Sequence, residues 1–368
     1  MWPVLAAAAL IAVGFRPSPR ERHSSGGRAQ QRALRPQGGP AAPAGEDAGR
    51  PGVDEADRGR SASKPSEIPA RGWKDILLRV KTNIGEDRIV VIAAGVTFYV
   101  VLAIFPAIAA LVAIYGFFAD PATIASELDG AAGFLPGGAL DVIRTEITRL
   151  SAQKSALGIT FIVGLLASLW SANAGMKSIF DALNLVYSEP EKRGFFKLNA
   201  ASLLFTVSAI LFLLIALGAV VVLPVILGFI GLGDVGDIIV RVARWPALFV
   251  LASLALAFVF RYGPSRREAR WRWITWGSAF AALCWIVTSL LFSWYAQNFG
   301  SYNKTYGSLG AIIAFMMWIW LSSIVVLLGA ELDAEMEHQT VRDTTVGGEK
   351  RLGRRGARMA DTVGQAQD

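Results

Sequence analysis

Residues 306–337 read YGSLGAIIAFMMWIWLSSIVVLLGAELDAEME. From 306 to 330 no side chain carries a formal charge. About 20 such residues, rising ~1.5 Å each as a helix, cover the ~30 Å hydrocarbon layer of a bilayer. The stretch therefore reads as a membrane-crossing helix, but its closure is unusual. Gly307 and Gly310 open it, whereas Glu331, Asp333, Glu335 and Glu337 close it where basic anchors are the rule. Acidic side chains at a helix C-terminus oppose the macrodipole and cannot donate to its free carbonyls. Cationic partners are therefore expected, and Lys177, Arg88 and the group Arg266, Arg267 and Arg270 are the candidates. In that reading Glu331 or Asp333 meets one of them and shapes an inner vestibule. The alternative is a water-exposed helix end with no specific partner.

The rest of the chain fits a polytopic membrane protein. Of 368 residues 53% are hydrophobic and 11 are tryptophan, and the mean hydropathy is +0.44, too apolar for a soluble domain of this length. Six stretches are candidate spans, at about 89–118, 156–173, 200–230, 242–260, 273–296 and 307–330. The net charge of +7 is distributed as the positive-inside rule requires. Arg71, Lys74, Arg79, Lys81 and Arg88 precede the first span; Lys177, Lys192, Arg193 and Lys197 lie between the second and third. Arg261, Arg266, Arg267, Arg270 and Arg272 lie between the fourth and fifth, and Arg342 to Arg358 follow the last. The other side is poorer in cations, which puts both ends of the six-span core in the cytoplasm. The expected fold is all-α: a polytopic bundle of six core transmembrane helices with amphipathic flanking and outer-loop helices.

Three regions follow. Residues 1–71 are low in complexity, rich in Gly, Pro, Ala, Ser and Arg, and expected to be largely disordered. Their apolar start, 2–15, reads equally as a short extra span, a weak signal-like segment or translated sequence upstream of the true start. Residues 72–338 form the membrane domain, and 339–368 a disordered basic cytoplasmic tail. Just before the first span, GWKDILLRVKTNI sets Trp73, Ile76, Leu77, Val80 and Ile84 at helical spacing against Lys74, Asp75, Arg79 and Lys81. This predicts an amphipathic helix lying on the inner leaflet or, alternatively, packed on the bundle. In the outer loop, ALDVIRTEITRL places Leu140, Ile143, Ile147 and Leu150 on one stripe, predicting a cap on the outer face. The single cysteine, Cys284, reads as a small packing residue within a span.

Helices in lipid associate through small side chains. Gly307, Ala311, Ala314 and Gly329 supply such a stripe on the last span, and Gly164, Ser168 and Gly175 on the second. Pro106 and Pro224 interrupt the first and third, as tolerated kinks or as hinges. Polarity enters where the second span runs on through Asn173, Lys177, Asp181 and Asn184, all at spacings of three or four. Lys177 and Asp181 either pair with each other or line a polar inner vestibule.

The segments AAGVTFYVVLAIFPAIAAL (93–111), LWSANAGMKSIFDALNLVY (169–187) and YGSLGAIIAFMMWIWLSSIVVLLGAELDAE (306–335) resemble the signature regions of the YihY/virulence factor BrkB family. The resemblance covers about 72–338. It implies a six-span inner-membrane fold, an old and mistaken label of ribonuclease BN, and links in some members to serum resistance or to envelope and solute export. One departure stands in the first signature, where Ala103 replaces a serine common in members.

The residues argue against a nuclease. Metal-dependent nucleases cluster histidines and carboxylates, whereas His23 and His338 are the only histidines and lie in opposite flanking regions. The basic RYGPSRREARWRW loop has a simpler cause, Arg beside anionic lipid headgroups and Trp271 and Trp273 at the interface. No phosphate-binding GxxxxGK[ST] motif occurs. No enzyme, catalytic residue, metal, cofactor or nucleic-acid partner is expected. The leading expectation is a transporter, exporter or flippase of an anionic solute or lipid, with Tyr99, Asn173, Lys177, Asp181, Tyr306, Glu331 and Asp333 along the substrate path. The alternative is a non-transporting scaffold for envelope machinery.

Overall fold

The computed structural model describes residues 57–115, 159–229, 233–299 and 308–367. The apolar run 2–15, the head up to residue 56, the outer-loop cap, Tyr306 and Gly307 lie outside the described residues. Among the described residues the regular structure is helical, apart from one isolated bridge pairing Ala269 with Thr345.

The long helices are α1 (Ala70–Glu86), α2 (Ile89–Tyr115), α3 (Ile159–Val186), α4 (Phe195–Phe229), α5 (Gly233–Tyr262), α6 (Trp271–Phe299) and α7 (Ser308–His338). Helices α2 to α7 coincide with the six apolar stretches. Four windows are both long and apolar enough to cross a membrane: Phe195–Phe212, Trp245–Tyr262, Trp271–Ala296 and Ile312–His338. Counting the bent pair α1 and α2 as one span makes five. The structure thus supports several spans among the described residues without establishing six. Only 17% to 28% of each of the four windows is buried, so Leu204, Leu254, Leu283, Leu291 and Trp294 face outward. An apolar belt of this extent needs lipid around it.

Helix α2 packs on α3 and α7, α3 on α4, and α6 on both α5 and α7, while α1 lies along α7. The largest cluster of buried apolar residues joins Ile89, Leu183, Tyr187, Phe260, Ile274 and Leu327 near the basic end of the bundle. Close approach through small residues holds at two of the expected places. A methyl at Gly175 would stand 3.1 Å from Ala103 Cβ, and one at Gly329 would stand 2.7 Å from Gly277 O. Gly164 is exposed with no neighbour within 4 Å, and Ser168 is half-buried, so the upper part of that stripe packs on nothing among the described residues. Ala314 is half-buried, and Ala311 lies within α7. Pro106 is inside α2, as expected; Pro224 falls within α4, and Pro246 within α5 is a further interruption.

On the flanks, the second of the two readings of α1 holds, packing on the bundle, and the expectation of a disordered tail needs correction. Helix α1 turns by 61° into α2 through Arg88, which takes a left-handed φ of 50°, and its inward face is Gly72, Asp75, Ile76 and Arg79. Asp75 and Arg79 are therefore inside, and Leu77 outside at 57% exposure. A helix lying on lipid would show the reverse; α1 instead turns polar groups toward the carboxylates of α7.

The C-terminal segment is not a free tail. Thr340 Oγ1 donates to Ala62 O at 2.7 Å, Val341 N donates to Arg60 O, and Arg60 reaches back to Gln339 O and Gly364 O. Arg355 donates to the carbonyls of Val341, Arg342, Lys350 and Ala360. Composition predicts disorder where little apolar area can be buried. Here order comes from arginine and threonine side chains that satisfy backbone carbonyls, with Met359 and Ala360 as a small apolar plug. The ordered head begins earlier than expected for the same reason, with a 3-10 turn at Pro65–Glu67 ahead of α1.

Candidate functional site

The acidic closure of α7 is buried: Glu331, Asp333 and Glu337 are 0% exposed and Glu335 is 2%. Successive helical residues turn by about 100°, so positions four apart share a face and positions two apart oppose each other. The four carboxylates accordingly divide into two pairs. Glu331 and Glu335 face α1, where Asn83 Nδ2 donates to both, at 2.6 and 2.9 Å, and Arg79 Nε donates to Glu335. Arg79 also donates to Gln339 Oε1 at 2.6 Å and Gln365 O at 3.0 Å.

Asp333 and Glu337 face α6 and the loop before it. Asp333 Oδ1 accepts from Gly277 N at 2.7 Å, an approach possible because Gly277 has no side chain. Arg266 grips Glu337 through two bonds, at 2.6 and 3.1 Å, with both side chains wholly buried. Its guanidinium lies 4.3 Å from the centroid of the Tyr187 ring. Cationic partners do close the acidic end: Arg266 is one of the expected cations, but it meets Glu337 rather than Glu331 or Asp333, and Arg79 is a further one. Arg79 and Arg266 meet Glu335 and Glu337, while Glu331 and Asp333 take neutral donors and each keep one oxygen without a partner among the described residues. Neither meets Lys177, Arg88, Arg267 or Arg270. A buried charge pair repays its desolvation only with such complete geometry.

The polar row on α3 separates as well. Each step of four residues advances about 40° around the helix, so Asp181 has turned about 80° from Asn173, whereas Asn184, eleven on, returns to within about 20°. Asn173 is fully buried and Asn184 is 5% exposed, while Asp181 is exposed. Lys177 is half-buried, with its ammonium 5.2 Å from the Trp170 ring centroid rather than in an ion pair with Asp181. Asn173 Oδ1 accepts from Thr206 on α4 at 3.5 Å, and its Nδ2 has no partner among the described residues. Asn184 joins two loops: its Oδ1 accepts from Ser265 N at 2.6 Å, and its Nδ2 donates to Glu191 at 2.9 Å.

Burial pushes the Glu191 carboxyl up, but hydrogen bonds from Arg193 side chain and backbone and from Asn184 outweigh it and hold the group down at about 2. Tyr99 is 47% exposed beside Phe98 on the outside of α2. The structure thus groups Asn173 with Thr206, and Glu331 with Glu335, Asn83 and Arg79; Tyr99, Lys177 and Asp181 join neither group. Among the described residues no cluster of His, Cys, Asp and Glu could hold a metal ion.

Arg79, Asn83 and Thr206 were missed as candidates. The available signal was the need of four carboxylates for donors, and Arg79 and Asn83, four apart, lie in the nearest basic helix. Thr206 carries no such signal inside an apolar stretch.

Apolar helices that expose most of their surface, a last span closed by carboxylates and a glycine-mediated contact between the last two helices lie inside the stretch that the family profile Virulence factor BrkB matches, residues 80–352. The chain belongs to this family. Ribonuclease-like protein YfkH of Bacillus subtilis (strain 168) is 27% identical over 269 residues, covering 71% of this chain and 93% of that protein. UPF0761 membrane protein Mpe_A1422 of Methylibium petroleiphilum is 26% identical over 270 residues, 71% of this chain. UPF0761 membrane protein RSc1559 of Ralstonia nicotianae is 25% identical over 273 residues, 68% of this chain. The chain spans only 62% and 56% of the lengths of these last two relatives. No solved structure matches the chain.

Proposed function

We propose that the chain is an inner-membrane protein that moves an anionic solute or lipid across the bilayer, with its basic end in the cytoplasm and no enzymatic chemistry of its own. The observation that carries this reading is Asn173. Its amide is wholly buried between α3 and α4, bonds only weakly to Thr206 and keeps an Nδ2 donor without a partner among the described residues. Polar groups held inside a membrane bundle are costly, and one with a spare donor suits a polar path. Ser202 and Thr206 bring two further hydroxyls to the same buried side of α4. No energy source is implied by a nucleotide motif, so a gradient or a partner supplies it.

The test compares intracellular, extracellular and lipid-fraction metabolites in cells lacking the protein, cells expressing it, and cells expressing Asn173→Leu or Lys177→Ala at equal membrane level. One compound redistributed by wild type and not by Asn173→Leu supports transport through this point. Wild-type behaviour of Asn173→Leu removes the carrying observation.

A scaffold role draws on a different observation. Tyr99 faces outward, and Glu331 and Asp333 are fixed by Asn83 and Gly277, so these three do not line one path. An envelope defect without redistribution of any compound favours that reading.

A further inference from the structure

At the basic end of the bundle the loop between α3 and α4, the end of α5 and the loop before α6 enclose a cleft of about 320 Å³. Lys192, Arg193, Arg261, Arg266, Arg267 and Glu268 line it, and the C-terminal segment closes one side at Gly356. There Arg267 N donates to Gly356 O at 3.0 Å, and the φ of 77° at Gly356 favours glycine.

Four of the five cations already have carboxylate partners. Lys192 meets Glu189 at 2.6 Å, Arg193 meets Glu191 at 2.8 Å, Arg261 meets Glu268 at 3.2 Å and Arg266 meets Glu337 at 2.6 Å. Arg267 has neither an ion pair nor a side-chain hydrogen bond among the described residues, so one positive charge is left over. Arg261 and Arg266 are held inside the protein. Their side chains are 8% and 0% exposed, with Arg261 donating to Ala269 O and Glu268 and Arg266 donating to Glu337.

We propose that this cleft binds a phosphate monoester group, as free orthophosphate or as a lipid headgroup of that class. Arg267 offers such a group a guanidinium unpaired among the described residues, and arginine favours phosphate through directed, charge-assisted bonds. Lys192, half of whose side chain is exposed and which pairs with Glu189, adds a further cation to the lining. Phe195 and Phe196, 66% and 85% exposed at the start of α4, follow Arg193 closely in sequence, as apolar surface that lipid can cover. This site stands independently of what the membrane domain moves.

The test uses the purified full chain at low salt in two arms. One measures equilibrium binding of radiolabelled orthophosphate in detergent. The other measures, by native mass spectrometry, retention of phosphatidic acid against phosphatidylcholine from nanodiscs containing both. Saturable binding is expected in at least one arm, weakened at least tenfold by Arg267→Ala and unchanged by Arg351→Ala, an exposed arginine outside the cleft. Orthophosphate binding identifies a free anion; selective retention of phosphatidic acid without it identifies a headgroup. Absence of binding in both arms overturns the proposal on wild-type protein alone. Equal binding by wild type and Arg267→Ala overturns it too, and Arg267→Gln gives the same reading if the alanine variant folds poorly.

Discussion

Arg79 is the residue on which most of the charged end depends. It meets Glu335, Gln339 and Gln365 at once, and its side chain is 7% exposed. Removing one member of a buried pair strands the other charge, so Arg79→Met is expected to lower stability by about 3–5 kcal/mol. Adding Glu335→Gln should restore much of that, because the stranded group is then neutral; chemical denaturation in detergent measures both. Glu191 gives a pH-dependent counterpart. Its folded carboxyl is held down at about 2, below the ordinary 4.5. Its contribution is therefore fully present above pH 4.5 and is lost as pH falls toward 2. Thermal midpoints measured across that window should fall less steeply for Glu191→Gln than for wild type.

Helix pairs show why some small residues matter and others do not. Gly329 and Gly277 let α7 and α6 approach until Asp333 reaches a backbone N–H of α6. A leucine at 329 meets Ala281 and the Gly277 carbonyl, neither of which is the far end of a flexible side chain. Gly329→Leu should therefore cost about 1–3 kcal/mol through overpacking and free the Gly277 amide to exchange, whereas Gly164→Leu should be neutral. Hydrogen exchange together with denaturation distinguishes the two. The difference follows from helix rotation, since both glycines belong to stripes of small residues that look alike as sequence.

On the scale of the whole molecule, residues 57–69, α1, the end of α7 and the C-terminal segment hold one another through Arg60, Asp75, Arg79, Thr340 and Arg355. Deleting residues 340–368 removes the Thr344 hydroxyl that donates to Glu337 at 2.9 Å and exposes Arg60 and Arg79. The truncated protein should insert normally, because the apolar helices remain, yet melt at lower temperature and be cleaved readily within 57–70. Limited proteolysis at matched membrane levels checks this. A wild-type cleavage pattern would mean that the segment is not held in place.

The membrane helices and their approximate limits were legible in sequence because hydrophobic length is a local property that lipid reads directly. The demand of Glu331 to Glu337 for cations was legible too, since a helix end carries its own field. Arg266 was among the candidates, but which cation answers which carboxylate was not legible, nor was the part of Arg79. Arg79 and Arg266 lie 256 and 71 positions from their carboxylates, and only the packing of α1 and of the α5–α6 loop against α7 brings them there. The same holds for Asn173, whose burial depends on which side of α3 faces α4, and for the C-terminal segment, whose order depends on carbonyls that distant arginines and threonines find only once the bundle has formed.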